Sequence, residues 1–164
     1  MEILFSLLIN YLLEKKTMMN KDYRISLILR EEIEKTSAKN EVIEELIGTM
    51  IHFPSYVHEL HLKASGNEAG VKHEALKELY EDFIDIADKF AEKCLAGKYT
   101  TDFKDKCPDF FSNDTINFLK RMKKFMDEKK EKIFNPKYDS DFLSVIDDAK
   151  DAIDSCLYKI RRLK

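Results

Sequence analysis

Breakers are scarce in this chain: four glycines and three prolines are spread over 164 residues, and there is no tryptophan. A helix interior loses about 1 kcal/mol at a glycine and about 3 kcal/mol at a proline, so a chain this poor in both can run in long helices. Lys, Glu, Leu and Ile are abundant, 44% of residues are hydrophobic and 36% are charged. This composition points to an all-helical protein with enough length for one domain with a proper core.

Charge and cysteine usage narrow the class further. A formal charge of −3 gives no global attraction to nucleic acid. Cys94, Cys107 and Cys156 are an odd set without a CxxC pair, which suits reduced thiols better than a disulfide framework or a zinc knuckle. The N-terminal stretch MEILFSLLINYLLEKK carries an apolar run too short for an ordinary transmembrane span. Its lysines follow the apolar run instead of preceding it, and no small-residue cleavage site is visible, so it does not read as a signal peptide. An extra helix packing on the body, or an extension upstream of a start at Met18 or Met19, is the expectation, with membrane association of this stretch the alternative. The chain is read as cytoplasmic, with no membrane partner.

Hydrophobic periodicity divides the rest. Residues 21–36 have helical character, with Ile25, Leu27, Ile28 and Ile33 as apolar positions, and Ser37–Asn40 reads as a polar break. A longer helix should follow through Ile43, Ile47, Ile51, Tyr56, Val57 and Leu60, kinked or interrupted at Pro54. SGNEAG (65–70) is the expected turn, with both glycines in place to reverse the chain. The clearest helix, residues 71–96, puts Leu76, Leu79, Phe83, Ala87, Phe90 and Cys94 on one face, and Gly97 can close it. After a long connection, Ser112 or Asn113 can cap a third helix through Ile116, Leu119, Met122, Phe125 and Met126. FNPKYDSD breaks it, and Asp139 or Ser140 starts a last helix reaching about Arg162. The expected domains are an N-terminal helical extension (1–36) and a four-helix bundle (37–164) with a long connection between its second and third helices. The single crossover is the connectivity of ferritin-like folds.

Three of the four histidines, His58, His61 and His73, lie near the turn. His61 and His73 stand six residues on either side of Asn67, so an antiparallel hairpin brings them to one height. Asp88 and Glu92 are one helical turn apart and share a face. His73 and Asp88 lie on similar faces of the second helix but roughly 22 Å apart, at about 1.5 Å per residue. One chain cannot close both pairs on one ion. Two copies of the helix antiparallel about a two-fold axis can, with two identical sites per homodimer formed through residues 71–96. The donors are nitrogen and oxygen, suited to iron, zinc or manganese.

That spacing is where a family resemblance enters. The stretch 61–97, with His61, Gly66, His73, Asp88 and Glu92 and the strings ELY (78–80) and AEKCLAG (91–97), resembles the Dps family, the ferritin-like mini-ferritins named DNA-binding proteins from starved cells. The resemblance implies a ferritin-like bundle and an inter-subunit ferroxidase centre with metal ligands His61, His73, Asp88 and Glu92. It also implies iron storage, protection against peroxide chemistry and a twelve-subunit shell. Two departures stand out: Leu62 where the family usually has Trp, and Lys77 where it often has a further carboxylate. Lys77, one turn from His73, would repel a metal or occupy its place, and with it goes the alternative of a non-catalytic helical scaffold or interaction protein.

Other features are plainer. His58 reads as an exposed residue, or as one supporting His61, and Tyr80 shares a face with His73 where it can line the dimer contact. HELH (58–61) is not the HExxH of zinc proteases, and no ExxH pair occurs, against an intrachain di-iron site. The basic run 119–132 is interleaved with acids and matches the solvated side of a helix. Lys15, Lys16 and Lys21, with Arg161, Arg162 and Lys164, are a weak version of the basic tails through which some Dps proteins bind DNA.

Overall fold

A computed structural model describes residues 2–66, 69–96, 112 and 114–162, and their side chains except those of residues 2–23, 33 and 35. The described residues are all-helical. Four helices follow in order: α1 (Glu2–Leu62), α2 (Ala69–Ala96), α3 (Thr115–Ile133) and α4 (Ser140–Arg162). The chain divides into two units, Met1–Ala38 and Lys39–Lys164. In the first, Ile25, Leu27, Ile28 and Leu29 are exposed. The second holds the remainder of α1 together with α2, α3 and α4.

Within the second unit, side-chain contacts fix which helices are neighbours and in which sense they run. Phe53 of α1 meets Phe83 of α2 at 4.5 Å between ring centroids and Phe118 of α3 at 5.3 Å. His61 meets His73, so α1 and α2 pair as an antiparallel hairpin. Glu45 of α1 pairs with Lys129 of α3, near the other end of the α1–α3 contact from Phe53–Phe118, so these two are antiparallel as well. Between α2 and α4 the ion pairs are Lys93–Asp141 (3.2 Å), Lys89–Asp148 (3.5 Å) and Lys159–Glu78. Between α3 and α4 they are Lys130–Asp147 (3.3 Å), Lys150–Asp127 (2.6 Å) and Lys123–Asp154. In both sets one number rises as the other falls, the mark of antiparallel pairing.

The core is what the apolar spacing asks for. On α2, Leu76, Leu79, Phe83, Ala87, Phe90 and Cys94 are all buried, joined by Ala75 and Ala91. On α4, Phe142, Ile146, Ala149, Ile153, Cys156 and Leu157 are buried, and Ile160 partly so. On α3, Leu119, Met122 and Met126 are buried, with Ile116 and Phe125 packed at the edge. On α1, Ile43, Ile47, Val57 and Leu60 are buried and Tyr56 partly so, whereas Ile51 is exposed; Leu46, Met50 and Phe53 complete that face.

Four local expectations are corrected. Ser37–Asn40 is helical, not a break: SAKN is polar but contains neither glycine nor proline, and Ala and Lys are good helix formers. Of the two outcomes expected at Pro54, interruption is excluded: α1 continues on both sides of it, and its ring is buried, which offsets the missing backbone donor. Of the two turn glycines only Gly66 adopts a positive φ, +92°, which a side chain would strain, while Gly70 already belongs to α2. The cap of α3 is Asp114, whose carboxylate accepts the backbone N–H of Asn117 at 3.1 Å; Ser112 accepts from the N–H of Asp114 instead. Asn67, Gly97, Cys107 and Asn113 lie outside the described residues. The start of α4 falls at Ser140 as expected, with Asp139 turned back to accept the N–H of Asn135 at 2.8 Å.

Two outcomes follow from this packing. Phe53→Ala removes a fully buried ring at the junction of three helices and should cost about 3–5 kcal/mol, read from urea unfolding. Burial pushes the Cys94 and Cys156 thiols up from 9.0 to about 12. The folded state therefore holds these protons above the pH at which the unfolded chain releases them, so stability should fall as pH rises from about 9 toward 12. In a Cys107→Ser variant, iodoacetamide should label neither remaining thiol until the protein is unfolded.

Candidate metal centre

The hairpin joining α1 to α2 builds one half of the candidate site. His61 and His73 are brought together with ring centroids 3.6 Å apart. His61 is buried and its Nδ1 lies 2.8 Å from the backbone carbonyl of His73. A carbonyl only accepts, so Nδ1 carries the proton in this bond. In the neutral ring Nε2 then keeps its lone pair, the form in which an imidazole ligates a metal. His73 is exposed in the first turns of α2.

Around this pair sits an aromatic cluster that sequence spacing only partly anticipates. The His58 ring is exposed, 5.7 Å from the ring of His61 and 4.7 Å from that of Tyr80. Tyr80 is half-buried and also meets His61 edge-on at 5.5 Å. Tyr80 thus leans across the hairpin onto α1. Counting about the turn would set Tyr80 opposite residue 54, so its reach back to His58 and His61 comes from the lean of the ring along the hairpin and not from residue number.

The other half lies further along α2. Asp88 and Glu92 are both exposed, one turn apart on a continuous helix. The helix from Ala69 to Ala96 is unbroken, so the distance of roughly 22 Å from His73 to Asp88 stands. Among the described residues, no three His, Cys, Asp or Glu side chains of one chain gather closely enough to hold an ion. Lys77 is half-buried, one turn after His73, and pairs with no carboxylate among the described residues.

The charged residues elsewhere are mostly engaged. In the run 119–132, Lys123, Lys129 and Lys130 pair with acids on neighbouring helices, and Lys124 pairs with Glu128 at 3.5 Å. Burial raises the Asp127 carboxyl, but the hydrogen bonds from Lys150 and Lys130 outweigh it and hold Asp127 below its usual range. Lys120, Arg121 and Lys132 are exposed, so the run is the solvated face of a helix, paired in part. Arg161 and Arg162 are exposed in the last turn of α4; Lys164 and the side chains of Lys15, Lys16 and Lys21 lie outside the described residues.

The fold and these half-sites define an all-helical protein in which a histidine pair and a carboxylate pair are presented separately on one hairpin. Residues 69–160, more than half the chain, match the model of a family of unknown function (DUF5856), and the chain belongs to that family. His73, Asp88 and Glu92 fall inside the matched range and His61 before it. No curated protein and no solved structure matches the chain. Among the described residues no helix is long and apolar enough to cross a membrane.

His61 fixes the top of the hairpin through its hydrogen bond to the backbone of His73 and the close, tilted contact of the two rings. His61→Ala should destabilise the fold by roughly 2 kcal/mol, through lost packing and one lost hydrogen bond, measured by urea unfolding without metal.

Proposed function

We propose that this chain is a Dps-like protein of the ferritin fold that takes ferrous iron as its substrate and oxidises it at a site shared by two copies. The observation that carries this reading is the contact of His61 with His73 across the hairpin, while Asp88 and Glu92 have no ion-pair partner among the described residues and stand at a height their own histidines cannot reach. The helix senses lend support. With α1–α2, α1–α3, α2–α4 and α3–α4 all antiparallel, α2 and α3 are parallel, a set of helix senses compatible with the one long crossover that ferritin-like bundles have.

In this reading His61 offers Nε2, oriented by its Nδ1 bond to the carbonyl of His73, and His73 offers its exposed ring. Asp88 and Glu92 of the second copy complete the donor set. Two carboxylates stabilise a trivalent ion more than a divalent one, which favours loss of an electron from bound ferrous iron. With peroxide as oxidant, two ferrous ions each give up one electron, and one peroxide with two protons becomes two waters. Zinc or manganese can stand in the same donors without this chemistry. A twelve-subunit shell storing the oxidised iron, weak DNA binding through terminal basic residues and a cytoplasmic setting belong to the same proposal.

One observation favours a second reading. Lys77 places an ammonium one turn from His73 with no carboxylate to neutralise it among the described residues. That arrangement suits a bundle retained as a scaffold or interaction protein without metal oxidation.

Mixing variants tests the shared site. A double variant His61→Ala/His73→Ala and a second, Asp88→Ala/Glu92→Ala, should each bind no zinc and leave ferrous iron unoxidised. Refolded together in equal amounts, they should regain about a quarter of the wild-type sites, since half the dimers are mixed and each mixed dimer has one intact site. Calorimetric titration reads the recovery. Wild-type protein that binds no metal, or mixtures that recover nothing, would leave the scaffold reading in place.

A further inference from the structure

The surface of α2 carries two populations of charge. Glu78, Lys89 and Lys93 face α4 and are paired with it. Lys77, Asp85 and Asp88 make no ion pair among the described residues. On α2, Lys77, Ile84, Asp88 and Leu95 fall within about 40° of one another at 100° per residue. Ile84 is 53% exposed and Leu95 41%. This outward face is therefore both apolar and charged, without partners among the described residues.

The same face borders an open groove between α1 and α2 of about 240 Å³, lined by Ile51, Pro54, Ile84, Asp85, Ala87 and Asp88. Its walls are aliphatic and its only charged groups are two carboxylates. That is the chemistry a lysine side chain wants: an apolar channel for the four-carbon stem and anions for the ammonium. Register supplies the lysine. A two-fold antiparallel contact that puts His73 opposite Asp88 or Glu92 of a second copy also puts Lys77 opposite residues 84–88 of that copy.

We infer that the groove beside Asp85 and Asp88 is the socket for Lys77 of a second copy of this chain. The inference rests on the antiparallel α2 contact of the proposed shared site but not on metal binding. By symmetry each copy gives one lysine and receives one. Glu81, one turn from Lys77 on this face, approaches its own copy near the axis, and the two lysines offset that repulsion. Lys77 then takes the place of a cation at Asp88 when no metal is present, so metal entry at Asp88 displaces the lysine.

Sedimentation equilibrium in chelator-treated buffer tests this. Wild-type protein should be dimeric without metal. Lys77→Glu and Asp88→Lys should each weaken the dimer at least about tenfold, and the double variant carrying both exchanges should recover most of that loss. Lys77→Met, which keeps the apolar stem, should fall between wild type and Lys77→Glu. Circular dichroism confirms that each variant keeps its helices. A metal-free wild type that is monomeric, single variants that dimerise as wild type does, or a double variant no better than the singles would each overturn the socket. Failure of the metal reading looks different: the charge exchange works while the mixed histidine and carboxylate variants recover no metal site.

Discussion

Phe53 is the contact on which the arrangement of the second unit depends. Its ring touches Phe83 and Phe118 at once, so one fully buried side chain of α1 fixes that helix against both α2 and α3. Aromatic pairs of this kind add about 0.5–1.5 kcal/mol each beyond the burial of their area. At the start of α4, Phe134 stacks on Phe142 at 5.1 Å and meets Phe90 at 6.2 Å, closing the α3–α4 turn against α2. Between these anchors the ion pairs are exposed or half-exposed. Each is worth only about 0–1 kcal/mol, so they choose register while the apolar core supplies stability.

The parts of this fold legible in the sequence are those set by one period. The buried faces of α2 and α4 follow from a 3.6-residue repeat without ambiguity, because no helix breaker and no competing pattern lies inside them. What escaped were positions where two local signals compete. Ser37–Asn40 is polar enough for a loop yet has no residue that stops a helix, and helix propensity wins. Pro54 is a breaker by its own chemistry, but its burial beside Phe53 and Val57 belongs to tertiary packing that a linear reading cannot weigh. At the start of α3 the choice among Ser112, Asn113 and Asp114 depends on which side chain reaches an N–H three residues on, a matter of one residue of register.

The candidate site divides along the same line. That His61 and His73 meet could be read from symmetry about the turn, since an antiparallel hairpin fixes height by counting. The tilt of Tyr80 onto His58 and His61 could not, because it depends on the angle of the ring and not on residue number. Lys77 shows the limit most clearly. Sequence places it near His73 and makes it an obstacle to a cation. The groove at Ile84 and Asp88 gives the same ammonium a destination, and that groove exists only because Ile51 and Pro54 of α1 stand across from α2.

The rigidity of α2 decides what kind of function this hairpin can have. A continuous helix cannot shorten the distance of roughly 22 Å between His73 and Asp88 without breaking several backbone hydrogen bonds. No local rearrangement within one chain brings the nitrogen and oxygen donors together, so any chemistry that uses both is a property of a pair of chains. An ion that bridges two copies binds the dimer and not the monomer, and it must then tighten association by mass action. In the proposed dimer, Lys77 seated against Asp88 would do the opposite for the ion: it would hold the pair together without metal, and its displacement would be a cost the ion has to meet. On that proposal dimer strength and metal affinity are coupled through one carboxylate, and the balance between them is set by a single side chain at position 77.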